Sequence, residues 1–245
     1  DNALILPDGT PDAQRRAVLA SARDVNLALA ECGYPLCRGG VMAGEAGCCL
    51  TLREWRERFS HWVEHGSPED LLQASIYFDL RPLAGATALA ETLAAEVREA
   101  ARRTPRFLKQ LALNALGRGA PLNWLGGIAS DEQGSVDLKL QGTAIFVDAA
   151  RLYSLAWGVP ATNTRERLEG VGARMGLARA EYEAWVAAFE FLQMLRLRIQ
   201  LEGRGGDNPN RMRLADLNDI DRRMLKESFR LARLLQQRMQ LDYER

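Results

Sequence analysis

The hydrophobic pattern changes character near residue 85. Before it, short apolar runs and alternating stretches are interleaved with helical patterns. After it, every strong signal is helical. Ala3 to Leu6 is a continuous apolar run closed by Pro7-Asp8-Gly9, which predicts a strand buried on both faces and then a turn. Thr10-Pro11-Asp12 predicts a helix start, with Thr10 as N-cap and Pro11 in the first position. Val18, Ala22, Val25 and Leu29 form its expected buried stripe, and Gly33 its end. Thr51 and Glu54 have capping-box spacing ahead of a helix carrying Leu52, Trp55, Phe59 and Trp62 on one side. Ser67-Pro68-Glu69-Asp70 begins a short helix leading into Ala74 to Gly85, which alternates with period two. There Ile76, Phe78 and Leu80 fall on one side, and Tyr77, Asp79 and Arg81 on the other, which predicts a strand with one face in a core and one towards a site.

Beyond Gly85 the pattern predicts an alanine-rich helix over 86–103 and another from Thr104-Pro105 to Leu116. Gly117 to Gly134 reads as a loop carrying Trp124, and Val136 to Lys139 as an extended approach to a very apolar helix over 143–157. Thr162-Asn163-Thr164 caps a helix over 165–175, and two long helices follow, over 179–202 and 217–241, joined by a Gly-Asp-Asn-Pro loop. The expected fold is α+β: part of an α/β sheet over 1–85, then an all-α bundle over 86–245.

Composition narrows the function classes. The 245 residues carry 32 Lys+Arg against 32 Asp+Glu, a neutral balance that argues against a bulk electrostatic grip on nucleic acid or an anionic membrane. No apolar run reaches the length of a membrane helix. Cys32, Cys37, Cys48 and Cys49 are too irregularly spaced for a disulfide framework, which favours a reduced, cytoplasmic setting. The chain opens on Asp1-Asn2 without an initiator Met, so it is expected to be a portion of a longer protein.

Three sets of residues carry candidate chemistry. Asp79 and Arg81, two apart on the expected strand, are either a surface ion pair or a metal ligand beside an anion-holding guanidinium. In the loop from Leu36 to Cys49, Gly39 and Gly40 mark either flexibility or close backbone approach to a ligand, although the Gly-Lys-Ser/Thr ending of a P-loop is missing. Asp148 and Arg151, polar on the most apolar helix, need partners, and an i,i+3 ion pair between them is the simplest solution. His61 and His65, with two Cys upstream, raise zinc, but vicinal sulfurs lack the spacer a zinc site needs. Arg196, Arg198, Arg222, Arg223, Arg230 and Arg233 read as solvated helix flanks.

A family resemblance runs through these blocks. In order, Asp1 to Ile5, Pro35-Leu36-Cys37-Arg38-Gly39-Gly40-Val41-Met42, Ala74 to Gly85, Asp137-Leu138-Lys139, Asp148 to Arg151 and Thr162-Asn163-Thr164 resemble the nucleotidyltransferases found downstream of cyclic-nucleotide-binding and CBS domains in bacterial signalling proteins. These are similar to the uridylyltransferase of the PII protein and the adenylyltransferase of glutamine synthetase. The resemblance implies a catalytic unit with a Gly-Ser turn, an Asp-x-Asp pair and a third Asp, in which Asp1 matches the second Asp of the pair and Asp79 the third. It implies Mg2+ held by Asp1 and Asp79, with a nucleoside triphosphate as substrate. It also places Arg81, Gly39 and Gly40 in a nucleotide or acceptor pocket, and Lys139, Asp148, Arg151 and Asn163 as acceptor contacts, whose alternative is capping and buried ion pairing.

On this basis 1–85 is expected to be the C-terminal part of a catalytic domain and 86–245 a substrate-binding-like bundle. Without the Gly-Ser turn and the first Asp, the chain is expected to be inefficient alone. Its partners are expected to be a nucleoside triphosphate, a protein or small-molecule acceptor, and upstream cyclic-nucleotide-binding or CBS domains, with no membrane and no nucleic acid. The alternative is a catalytically degenerate module that senses a nucleotide or joins proteins.

Overall fold

The structure, a computed structural model, describes residues 1–244 apart from the side chains of Pro68, Glu69 and Leu72. The fold is α+β and divides into two compact units, Asp1–His65 with Leu80–Val97, and Gly66–Asp79 with Arg98–Arg245. The units interleave along the chain.

In the first unit, β1 (Leu4–Leu6) pairs in parallel with β2 (Cys49–Thr51), in the register Leu4↔Cys49, Ile5↔Leu50 and Leu6↔Thr51. A parallel pair needs a crossover, and α1 (Asp12–Glu31) lies between the strands in sequence. Only Leu6 of β1 is buried, and β1 has one strand partner among the described residues, so the expected doubly covered strand is not what forms. The helix cap also shifts. Pro11 is the N-cap, while Thr10 donates its hydroxyl to the Pro7 carbonyl at 2.6 Å and closes the turn.

The buried face of α1 is Ala22 and Asn26, whereas Val25 and Leu29 of the expected stripe are exposed. Asn26 is on that face because its side chain is fully used. Its amide donates to Asn2 Oδ1 at 3.0 Å, its own Oδ1 accepts from the Gly44 N–H at 3.0 Å, and Asn2 Oδ1 also accepts from the Ala43 N–H at 2.7 Å. These bonds tie the start of the chain and the glycine-rich loop to α1. Arg23 adds a bond from Nε to the Gly44 carbonyl at 2.8 Å. A Cβ at Gly44 would stand 2.6 Å from Arg23 Cγ and 3.0 Å from Arg23 Cα, so this approach requires glycine.

The capping box of α2 (Leu52–His65) forms as its spacing predicts. The Thr51 N–H donates to the Glu54 carboxylate at 2.7 Å, and the Glu54 N–H donates to Thr51 Oγ1 at 3.3 Å. Arg15 pairs with the same carboxylate. Leu52, Trp55, Phe59 and Trp62 are all buried, and the Trp55 indole donates to the Leu4 carbonyl at 2.9 Å.

Residues 74–85 are not a strand. α3 runs from Pro68 to Tyr77, begun by a reciprocal capping box between Ser67 and Asp70. Burial follows a helical period, with Leu71, Ala74, Tyr77 and Phe78 inside and Ile76 only partly covered. The alternation of Ile76, Phe78 and Leu80 is the tail of that helix running into an irregular segment, which Pro82 keeps from continuing as helix. α4 (Thr87–Arg102) contributes its first part to one unit and its last residues to the other.

The second unit is a bundle of α5 (Pro105–Leu116), α6 (Ala144–Trp157), α7 (Thr164–Arg174), α8 (Arg179–Leu201) and α9 (Asp219–Tyr243), with α3 packed on α5. Phe78 meets Phe107 of α5 at 5.6 Å between ring centres. α8 and α9 are antiparallel, since Glu181 at the start of α8 pairs with Arg238 late in α9, and Arg198 pairs with Asp221. Between α5 and α6 lies β3 (Ser135–Asp137), antiparallel to β4 (Arg211–Arg213). Phe146, Leu152, Leu192, Leu195, Leu225 and Phe229 are completely buried at the centre.

Replacing Gly44 by Ala is expected to lower stability by about 1–3 kcal/mol through the collision with the α1 backbone. Gly47→Ala, where a Cβ meets nothing within 4 Å, is expected to be close to neutral. Urea unfolding of the two variants measures the difference, and equal midpoints would contradict the close packing.

Candidate functional site

The bundle's most apolar helix, α6, buries Arg151, and α7 buries Arg167; they are 8% and 4% exposed. Two ionised guanidiniums this far from water need carboxylates. Asp79, just past the end of α3, serves both. Its Oδ2 accepts from Arg151 Nη2 at 2.6 Å, and its Oδ1 accepts from Arg151 Nε at 3.3 Å and from Arg167 Nη1. Arg167 also donates to the Phe78 carbonyl at 3.1 Å and the Ala161 carbonyl at 2.8 Å. Three of the roughly four acceptor directions of the Asp79 carboxylate are therefore taken.

The expected Asp148–Arg151 pair is present at 3.2 Å. It is only one arm of a larger cluster, because Arg151 gives its bidentate face to Asp79. The two carboxylates differ accordingly. Burial pushes Asp79 up, but the hydrogen bonds and charge of Arg151 and the charge of Arg167 outweigh it and hold Asp79 below the usual carboxylate range. Asp148, three-quarters covered, is pushed above the usual range, mainly by burial, with Arg151 and Arg118 opposing. Arg98, on the last part of α4, is lowered by burial, and its charge reaches Arg167. Neither Arg98 nor Arg118 has an ion-pair partner among the described residues. Four arginines thus face two aspartates, which leaves the cluster net positive around a partly open carboxylate.

Lys139 is exposed in the single π turn ahead of α6, its N–H donating to Asp137 Oδ1 at 2.8 Å. Asn163 is the N-cap of α7, its side-chain oxygen accepting from the Arg165 N–H at 2.9 Å and the Glu166 N–H at 3.3 Å. Asp1, Gly39, Gly40 and Arg81 belong to the first unit and are all exposed. Gly40 has φ of +71°, a turn conformation that suits glycine. His61 and His65 stack at 4.4 Å on α2. Among the described residues no group of three or more His, Cys, Asp or Glu stands together as a metal cage. Magnesium bound with a triphosphate needs only one or two carboxylates, and the exposed Asp1 suits that role, whereas Asp79 is committed to arginines.

Sequence reasoning missed Arg167 and Asn26. Arg167 sits beside Leu168 at the buried edge of a helix otherwise rich in charge, and an arginine in such a context reads as solvated. Asn26 falls four residues after Ala22, which was the available signal.

Comparison with known families places these elements. Residues 105–243 match the family model described as "Putative nucleotidyltransferase substrate binding domain". The chain belongs to that family. Residues 1–69 match a second model, putative nucleotidyltransferase DUF294, so both ends of the chain carry nucleotidyltransferase-family sequence in order. No curated protein and no solved structure matches the chain. No helix among the described residues is long and apolar enough to cross a membrane. Asp148, Arg151, Arg167 and Arg118 all fall inside the family's substrate-binding domain.

Asp79→Asn leaves two buried arginines short of a countercharge. A loss of about 2–4 kcal/mol is expected, below the value for a fully buried pair because Asp79 remains 36% exposed and screened. With its folded-state pKa lowered, Asp79 contributes stability that is present above the unfolded carboxylate value and lost as pH falls through the lower folded one. Asp148, raised, has the opposite sign: its contribution is lost as pH rises from the unfolded carboxylate value through the higher folded one. Asp148→Asn is therefore expected to be neutral or stabilising at pH 7. Chemical denaturation of both variants from pH 3 to 7 checks the pair, and a destabilised Asp148→Asn beside a neutral Asp79→Asn would contradict it.

Proposed function

We propose that this chain is part of a metal-dependent nucleotidyltransferase that moves a nucleotidyl group from a nucleoside triphosphate to a protein or small-molecule acceptor in signalling. The reading is carried by the order of the two family matches, residues 1–69 and then 105–243, with Arg118, Asp148, Arg151 and Arg167 inside the second.

The chemistry assigns a task to each part. An acceptor oxygen attacks the α-phosphorus, pyrophosphate leaves, and the acceptor's proton must go to a base. Asp148, a partly exposed carboxylate beside Arg151 in the substrate-binding domain, is assigned to the acceptor side as a hydrogen-bond partner of the acceptor. Arg118, exposed and without an ion-pair partner among the described residues, offers positive charge to an anionic group on the acceptor. Lys139 and Asn163 are further acceptor contacts in this reading. On the nucleotide side, Asp1 offers one carboxylate to magnesium, which supplies neutralisation of the triphosphate when bound. The Asn2–Asn26 bonds hold the backbone next to Asp1, and Gly39, Gly40 and Arg81 are assigned to the nucleotide pocket. Asp79 is assigned a positioning role, holding Arg151 where it can also reach Asp148.

The alternative, a nucleotide-sensing or protein-joining module without chemistry, is favoured by the commitment of Asp79 to arginines. Calorimetric titration of ATP, GTP, CTP and UTP with magnesium into the protein and its Asp1→Asn variant tests the transferase reading. Magnesium-dependent binding of one triphosphate, weakened at least about tenfold in Asp1→Asn, is expected. Absence of binding, or binding indifferent to magnesium and to Asp1, would move the assignment to the module.

A further inference from the structure

The beginning of α9 gathers positive charge on one flank. Arg222, Arg223 and Lys226 occur at i, i+1 and i+4, so they share one flank of the helix. Together with Ile128 and Leu214 they line a groove of about 310 Å3. No acid lines this groove, and three of the neighbouring acids are engaged elsewhere, while Asp219 is exposed in the first turn. Asp216 pairs with Arg213 at 3.0 Å, Asp221 with Arg198 at 2.6 Å, and Glu227 with Arg230 at 3.3 Å. Arg222 donates to the Leu214 carbonyl at 2.6 Å, which holds its guanidinium at the wall of the groove without cancelling its charge. Arg223 and Lys226 are exposed and have no hydrogen-bond or ion-pair partner among the described residues. Three cations placed so closely repel one another and weaken the helix that carries them.

The opposite wall is preformed. Ile128 bridges Leu122 in an antiparallel pair at the base of a tight hairpin. Arg233 of α9 binds the Leu122 carbonyl, and Gln236 both donates to the Arg118 carbonyl and accepts from the Ala120 N–H at 3.1 Å. The apolar side of the groove is therefore anchored to the same helix as the cations.

We infer that this groove binds the phosphate group of a small molecule of nucleotide size or less. Guanidinium and ammonium donors converging without acids suit phosphate oxygens, and Ile128 and Leu214 suit the remainder of such a ligand. The volume is at the lower end of small-molecule sites. The flanking acids and the zero net charge of the chain disfavour a nucleic acid or an anionic membrane. The groove shares no residue with the Asp79–Asp148 cluster, so this inference stands independently of the proposed transfer reaction.

The test is calorimetry without magnesium, using pyrophosphate, AMP and adenosine on the full chain at moderate salt. Pyrophosphate and AMP are expected to bind saturably and adenosine not to bind. The double variant Arg223→Ala/Lys226→Ala should weaken both anions at least about tenfold, and Lys226→Glu should do the same with an unchanged melting temperature. Tighter binding of AMP than of pyrophosphate identifies the ligand as a nucleotide, and equal affinity identifies it as the free anion; either supports the site. Asp1→Asn should leave this binding intact, which separates the groove from the triphosphate site. No saturable binding of either anion, binding unchanged in the folded double variant, or loss of binding in Asp1→Asn would overturn the inference.

Discussion

Arg151 and Arg167 are buried in a helical bundle, and that burial is tolerable because one carboxylate, Asp79, meets both. The demand reaches back along the chain. It requires α3 to end at Tyr77, to pack Phe78 on Phe107, and to present the Phe78 carbonyl and the Asp79 side chain together. It explains why Gly66–Asp79 joins the bundle although the elements on either side of it belong to the first unit. It also leaves Asp148 with only a side arm of Arg151, so that this carboxylate is buried faster than it is compensated.

The first unit has a smaller constraint of the same kind. Asn2, Asn26 and Gly44 close a ring of hydrogen bonds that joins the approach to β1, the middle of α1 and the glycine-rich loop. Gly44 is the glycine in that loop whose absence of a side chain is used by packing, while Gly40 serves a turn. The backbone beside Asp1 is thereby fixed through Asn2.

Helix locations were legible because capping residues and apolar spacing agreed. Thr51/Glu54, Ser67/Asp70 and Asn163 all act where their spacing placed them. The bundle, its long antiparallel pair and the Asp148–Arg151 contact were legible for the same reason. The strand at Ala74–Gly85 was misread because Ile76, Phe78 and Leu80 satisfy period two over five residues, while the deciding residues, Leu71 and Ala74, lie upstream. The stripe on α1 was misread because its central member is an asparagine, and apolar patterning is blind to a polar residue buried by its hydrogen bonds. The pairing of Asp79 with residues 72 and 88 positions away was beyond any local pattern. What local spacing did give was the identity of Asp79, Asp148 and Arg151 as residues that needed partners.

Two carboxylates of one cluster therefore differ, Asp79 anchoring both buried arginines and Asp148 meeting one of them more weakly inside the nucleotidyltransferase-family substrate-binding domain. Site-resolved carboxyl NMR titration of the intact protein measures that division directly. Asp79 is predicted to titrate below the usual aspartate range and Asp148 above it. Coincident titrations near the ordinary value, or the reverse order, would contradict it.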